Sequence, residues 1–91
     1  MRKRVHFYGQ VQGVGFRYVT NVVAEKYGVY GWVKNNKDGS VTLVLEGLDD
    51  SVELMLNYLK KFFRENIDRV EEKLEPEEKL VSFEIKHEDE E

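Results

Sequence analysis

The chain has 91 residues, 41% hydrophobic and 12% aromatic, which suits one domain over residues 1–91, since a chain of this size buries roughly two thirds of its unfolded surface. It has no cysteine and two histidines far apart, which excludes disulfides and thiolate chemistry and argues against a metal site. Its apolar runs are too short for a transmembrane helix or a signal peptide, so the expectation is a soluble, cytoplasmic protein with no membrane partner. The net charge of −4 is unevenly spread: residues 1–40 carry seven Lys/Arg against two Asp/Glu, and residues 68–91 carry four against eleven. The N-terminal part is therefore the candidate anion binder, while a pI near 5.2 argues against nucleic acid as a partner. The acidic end, residues 87–91, reads as a solvated tail.

Residues 4–11 alternate, with Val5, Phe7 and Val11 on one side and Arg4, His6, Tyr8 and Gln10 on the other, the period of a half-buried strand. Phe16, Val19, Val23 and Tyr27 recur at intervals of three and four, which predicts a helix over 16–27 stopped by Gly28. Residues 30–34 and 41–46 read as strands joined through Asp38-Gly39, hence a hairpin. Asp49, Asp50 or Ser51 is positioned to cap a second helix, whose stripe is Val52, Met55, Leu56, Leu59, Phe62 and Phe63. The segment around Val70 and Leu74 is a weak strand, and Val81, Phe83 and Ile85 alternate with polar neighbours. The order read from this pattern is βαββαβ. It predicts an α+β, ferredoxin-like domain, an antiparallel sheet with two helices on one face.

Between the first strand and the first helix, Gly9-Gln10-Val11-Gln12-Gly13-Val14-Gly15-Phe16-Arg17 puts three glycines into seven positions. A glycine-bearing loop entering a helix presents unpaired N–H groups at the positive end of the helix dipole, a site suited to phosphate or carboxylate. Arg17 lies in the first turn, where a cation opposes the dipole but can fork onto a bound oxyanion. The same residues also suit a tight turn beside a surface charge. In Gly31-Trp32-Val33-Lys34-Asn35-Asn36-Lys37-Asp38-Gly39-Ser40-Val41, the paired asparagines fit turn formation as well as chemistry.

Taken together, the two segments resemble the acylphosphatase family. Gly9, Val11, Gly13, Val14, Phe16 and Arg17 match its Gly-x-Val-x-Gly-Val-x-Phe-Arg pattern, and Gly31, Val33, Asn35, Asp38, Gly39, Ser40 and Val41 match its Gly-x-Val-x-Asn-x-x-Asp-Gly-Ser-Val pattern. The resemblance implies hydrolysis of carboxyl-phosphate anhydrides to carboxylate and inorganic phosphate. It implies that Gln12, Gly13, Val14, Gly15, Phe16 and Arg17 form the phosphate-binding loop, that Arg17 grips the phosphate and that Asn35 places the attacking water. Asn36 matches no catalytic position. The implied partner is a small-molecule acyl phosphate, with no cofactor, no metal and a monomeric protein. Where the family carries a Gly-Pro-rich turn after its second helix, this chain has Arg64-Glu65-Asn66-Ile67-Asp68, which leaves the start of the following strand open.

The chemistry suits the inventory. An acyl phosphate expels a carboxylate whose conjugate acid has a pKa of about 4, so no general acid is needed at neutral pH. Two other readings remain: a non-catalytic anion- or RNA-binding module of the same plan, and an acylphosphatase-like maturation domain handling carbamoyl phosphate. His6 and His87 read as surface or sheet histidines, and Trp32 and Tyr30 as sheet cover.

Overall fold

A computed structural model of the chain describes residues 1–87. The elements are β1 (Arg2–Gly9), α1 (Phe16–Tyr27), β2 (Tyr30–Asn35), β3 (Val41–Glu46), α2 (Asp49–Phe62), β4 (Ile67–Leu74) and β5 (Phe83–Lys86). The strands form one sheet in the order β4-β1-β3-β2-β5. Its first four are the antiparallel, ferredoxin-like arrangement read from the sequence, and β5 adds a parallel fifth beside β2. The sheet is therefore mixed, because the weak segment around Val70 and the alternating one around Phe83 are separate strands on opposite edges.

One face of the sheet carries the core. Val5 and Phe7 of β1, Val33 of β2 and Val41, Leu43 and Leu45 of β3 pack against Val23 and Ala24 of α1 and Val52, Met55, Leu56 and Leu59 of α2. The period-two pattern of the strands and the apolar stripes of the helices thus meet in a single layer. Phe16 is the hinge of this packing, its ring centroid 4.8 Å from that of Phe7 and 4.6 Å from that of Phe63. Because Phe16 opens α1, the same burial that builds the core fixes where the helix begins.

Several local expectations are corrected. The first strand starts at Arg2 and ends at Gly9, so Val11 is buried in the loop and not on a strand. The N-cap of α2 is Leu48, with no side-chain cap bond; Asp49 and Asp50 lie inside the first turn, where their charge favours the helix dipole. Phe62 is exposed and stacks on Tyr58, because it falls off the stripe that Phe63 completes. Val81 precedes β5 and is exposed. The start of β4 is settled at Ile67, whose N–H donates to the Phe63 carbonyl at 3.1 Å. Of the tail, residues 88–91 lie outside the described residues.

The opposite face has no helix over it. Trp32 lies there with Arg4, Lys34 and Lys86 around its ring, matching its reading as sheet cover. Residues 75–82 cross from β4 at one edge to β5 at the other, past the sheet end where Arg2 and Glu46 stand opposite each other.

Candidate active site

Three segments converge on one cavity of about 280 Å³: the loop ahead of α1, the end of β2, and β5. Its lining includes Gly13, Gly15, Phe16, Arg17, Asn35, Ile85 and His87. Both glycines have left-handed backbones, with φ of 77° at Gly13 and 82° at Gly15, and Gly15 is the N-cap of α1. Since Gly15 has no side chain, none caps the helix, and the N–H groups of the first turn, at the cavity-lining residues Phe16 and Arg17, are unclaimed by a side-chain cap. The glycine-rich sequence is thus what keeps the positive end of the helix available.

Arg17, one residue into α1, reaches toward β5. Its Nη1 donates to the Lys86 carbonyl at 3.3 Å, which steadies one side of the guanidinium and leaves a fork of donors for an oxyanion. Asn35 closes β2 opposite the loop. Its Oδ1 is buried and, among the described residues, has no hydrogen-bond partner. A buried acceptor left unpaired costs about 1–3 kcal/mol, so Asn35 is held at this spot against stability.

The adjacent asparagine has different work. Asn36 Nδ2 donates to Ser40 Oγ at 3.0 Å and Thr42 Oγ1 at 2.8 Å, which ties the hairpin across its own turn. Asp38 accepts from the Ser40 N–H and hydroxyl, and these bonds hold its carboxyl below the ordinary range. This is the turn role read for it from the sequence.

The predicted loop residues divide. Gly13, Gly15, Phe16 and Arg17 line the cavity, whereas Val14 is an exposed loop residue outside the lining. Gln12 turns its amide away, donating from Nε2 to the carbonyls of Asn36 at 2.7 Å and Ser40 at 2.9 Å. It fastens the loop to the hairpin and so fixes the spacing between Arg17 and Asn35.

Sequence reasoning missed Tyr18, Ile85 and His87 as lining residues. Ile85 and His87 arrive only because β5 lies parallel to β2, a pairing with no local signal in the sequence. Among the described residues, no group of three or more His, Cys, Asp or Glu gathers as a metal site, and no helix is long and apolar enough to cross a membrane.

The acylphosphatase family model matches residues 3–85. The chain is 43% identical over 88 residues to an acylphosphatase of Synechococcus, covering 93% of this chain and 94% of that one. Among solved structures it is similar to the acylphosphatase from Bacillus subtilis, with a TM-score of 0.83 and 29% identity over 92% of this chain and 96% of that one. It also matches full-length HypF in its phosphate- and nucleotide-bound form, with a TM-score of 0.81 and 28% identity, covering 97% of this chain but 12% of HypF. An open helix N-terminus, a guanidinium and an orphaned amide oxygen around one cavity, on a chain matched over nearly its whole length by the two acylphosphatases, agree with one assignment: the chain belongs to the acylphosphatase family.

Proposed function

We propose that this acylphosphatase hydrolyses its carboxyl-phosphate substrate with Arg17 and the α1 N-terminus holding the phosphoryl group and Asn35 orienting the attacking water. The observation that carries the assignment is that Asn35, whose Oδ1 is buried and unpaired among the described residues, lines the same cavity as Arg17 and Gly15. Asn35 is no base. Its carbonyl oxygen accepts from water and its NH₂ donates to the water oxygen, so it aims a lone pair at phosphorus. As the water oxygen bonds to phosphorus, the bond to the acyl oxygen breaks and its electron pair leaves on the carboxylate. The water protons pass to phosphate and solvent.

Phosphoryl transfer spreads charge over the equatorial oxygens, so fixed donors at those oxygens lower the barrier without moving during the reaction. Arg17 and the first-turn amides are such donors. With a good leaving group and the charge met by these groups, the reaction requires neither metal nor cofactor. The protein acts as a cytoplasmic monomer on a small molecule, independently of nucleic acid.

The test is phosphate release from benzoyl phosphate in the presence of EDTA, with Arg17→Ala and Asn35→Ala alongside. Turnover by the wild type, inhibition by inorganic phosphate and loss in both variants are expected. Undiminished turnover in both variants would remove these residues from the mechanism. To separate the carbamoyl phosphate reading, the same assay compares kcat/KM for benzoyl phosphate and carbamoyl phosphate.

A further inference from the structure

β5 is four residues long, sits on the sheet edge and pairs with β2 alone, yet its Lys86 carbonyl holds the Arg17 guanidinium. The direction of β5 is set where the chain enters it. Residues 75–82 reach that point across the sheet end farthest from the cavity, and there they are tied to a buried ion pair. Arg2 and Glu46 face each other across β1 and β3, each with 5% of its side chain exposed and Nη1 3.5 Å from Oε1. The Glu46 carboxylate accepts the N–H of Glu78 on Oε1 at 2.8 Å and the N–H of Leu80 on Oε2 at 2.6 Å. Arg2 donates from Nε to Glu75 at 3.2 Å, and its carbonyl accepts the Glu75 N–H at 3.0 Å. The crossing then meets β2, where the Gly31 N–H donates to the Ser82 carbonyl at 2.9 Å.

A carboxylate that takes two main-chain donors two residues apart on separate oxygens fixes the path of that segment, which a surface ion pair would not do. From Gly31 to Asn35 the strands run about 13 Å, so the pair does not touch the cavity itself, and β5 is the element that links the crossing to Arg17. We propose that Arg2 and Glu46 are positioning residues for catalysis: they set the entry of β5, and through the Lys86 carbonyl they set the guanidinium of Arg17. The inference rests on Arg17 being the phosphate-binding arginine.

The decisive comparison is phosphate affinity, measured by calorimetry on fully folded protein, together with kcat and KM at a temperature well below unfolding. Glu46→Gln keeps an acceptor oxygen but loses the pairing with Arg2; it is expected to weaken phosphate binding and kcat/KM about five- to twentyfold, with Glu46→Ala worse. Val52→Ala, a core substitution under α2, serves as the stability control: it lowers the melting temperature and binds phosphate as the wild type does. If Glu46→Gln fails to fold, Glu78→Pro removes one of the two N–H donors with Glu46 in place, and the same loss is expected. Either folded variant binding phosphate within twofold of wild type, while melting lower, overturns the proposal and makes the pair purely structural. Should Arg17→Ala itself retain phosphate affinity, the assignment of Arg17 falls instead, and the two failures are told apart.

Discussion

The side-chain amide of Gln12 donates to the main-chain carbonyl of Asn36 at 2.7 Å, so the loop that carries Arg17 is tied directly to the hairpin that carries Asn35. The same nitrogen also meets the Ser40 carbonyl. Gln12→Ala removes both bonds and lets the two halves of the site drift. The expected outcome is a loss of about 1 kcal/mol of stability and a fall in kcat/KM of about tenfold. Gln12→Glu is the sharper test, because an ionised carboxylate has no donor for two carbonyl oxygens and repels an anionic substrate. Its activity should be lower than that of Gln12→Ala at neutral pH and should partly recover as the pH falls toward about 4.3. Equal activity of both variants and wild type, measured by steady-state kinetics, would dismiss the tie.

In the proposed mechanism, Arg17 trades stability for chemistry. A cation in the first turn of α1 opposes the helix dipole, and its bond to the Lys86 carbonyl is long at 3.3 Å. Arg17→Ala is therefore expected to melt within a few degrees of wild type while losing hydrolysis and phosphate inhibition. Arg17→Lys should recover only part, since an ammonium cannot reproduce a bidentate fork. A thermal melt and a phosphate inhibition curve on each variant check both halves. Full activity in the lysine variant would show that charge alone suffices.

The fold was legible wherever local pattern and tertiary burial coincide. Helix α1 spans the interval read from Phe16 to Tyr27 and ends at Gly28, because the apolar spacing, the glycine stop and the core all agree there. Within it, though, the buried positions include Thr20 and Ala24, whereas Val19 and Tyr27 are only partly buried. A short polar side chain fits against the sheet because its hydroxyl returns to the Phe16 carbonyl at 2.7 Å, which hydropathy does not register. The cavity was legible in the two motifs that supply part of its lining and opaque in its third wall. Ile85 reaches the cavity through a parallel pairing of Val33 with Ile85, residues far apart in the chain, and such a register follows from the crossing of residues 75–82 and not from composition. The buried Arg2 was likewise hidden, since a charged residue at a strand end reads as exposed until its partner Glu46 is known.

Acid should weaken the fold before it touches the chemistry. Burial pushes the Glu46 carboxyl upward, but the N–H donors of Glu78 and Leu80 and the Arg2 guanidinium outweigh it and hold it below the ordinary value. Glu75 is held down chiefly by its bond to Arg4, with Arg2 adding to it, and Glu78 also faces Arg2. A carboxyl whose folded pKa is depressed contributes stability that is present above its unfolded value, about 4.3, and is lost as the pH falls through the folded one. The melting temperature should therefore be nearly level from about pH 7 to 5 and drop steeply below about pH 4. Glu46→Gln should flatten that acid limb. Turnover, by contrast, should vary little between about pH 5 and 7.5, because none of the proposed participants titrates in that interval. A sigmoid near pH 6.5 that disappears in His87→Ala would instead place the cavity-lining imidazole in the mechanism.

Asn35 and Asn36 are neighbours in sequence and differ in their surroundings, and on the proposed mechanism their alanine variants should separate cleanly. Asn35 is the last residue of β2 and lines the cavity, whereas Asn36 follows it into the turn. The Asn35 Oδ1 is buried without a partner among the described residues, whereas the Asn36 amide is engaged by Ser40 and Thr42. Asn35→Ala should lose at least about a hundredfold in kcat, the scale of removing one preorganised polar group, and still bind inorganic phosphate, since Arg17 and the α1 amides are untouched. Its melting temperature should hold or rise, because the substitution deletes an unpaired buried acceptor. Asn36→Ala should show the reverse: kcat within a few-fold of wild type, and about 1–3 kcal/mol less stability from the two lost hairpin bonds. Kinetics and thermal melts on the pair must move in opposite directions, while phosphate calorimetry stays near wild type in both. A crippled Asn36→Ala beside a normal Asn35→Ala would mean that the working amide sits one residue further along, at the mouth of the hairpin and not at the end of β2.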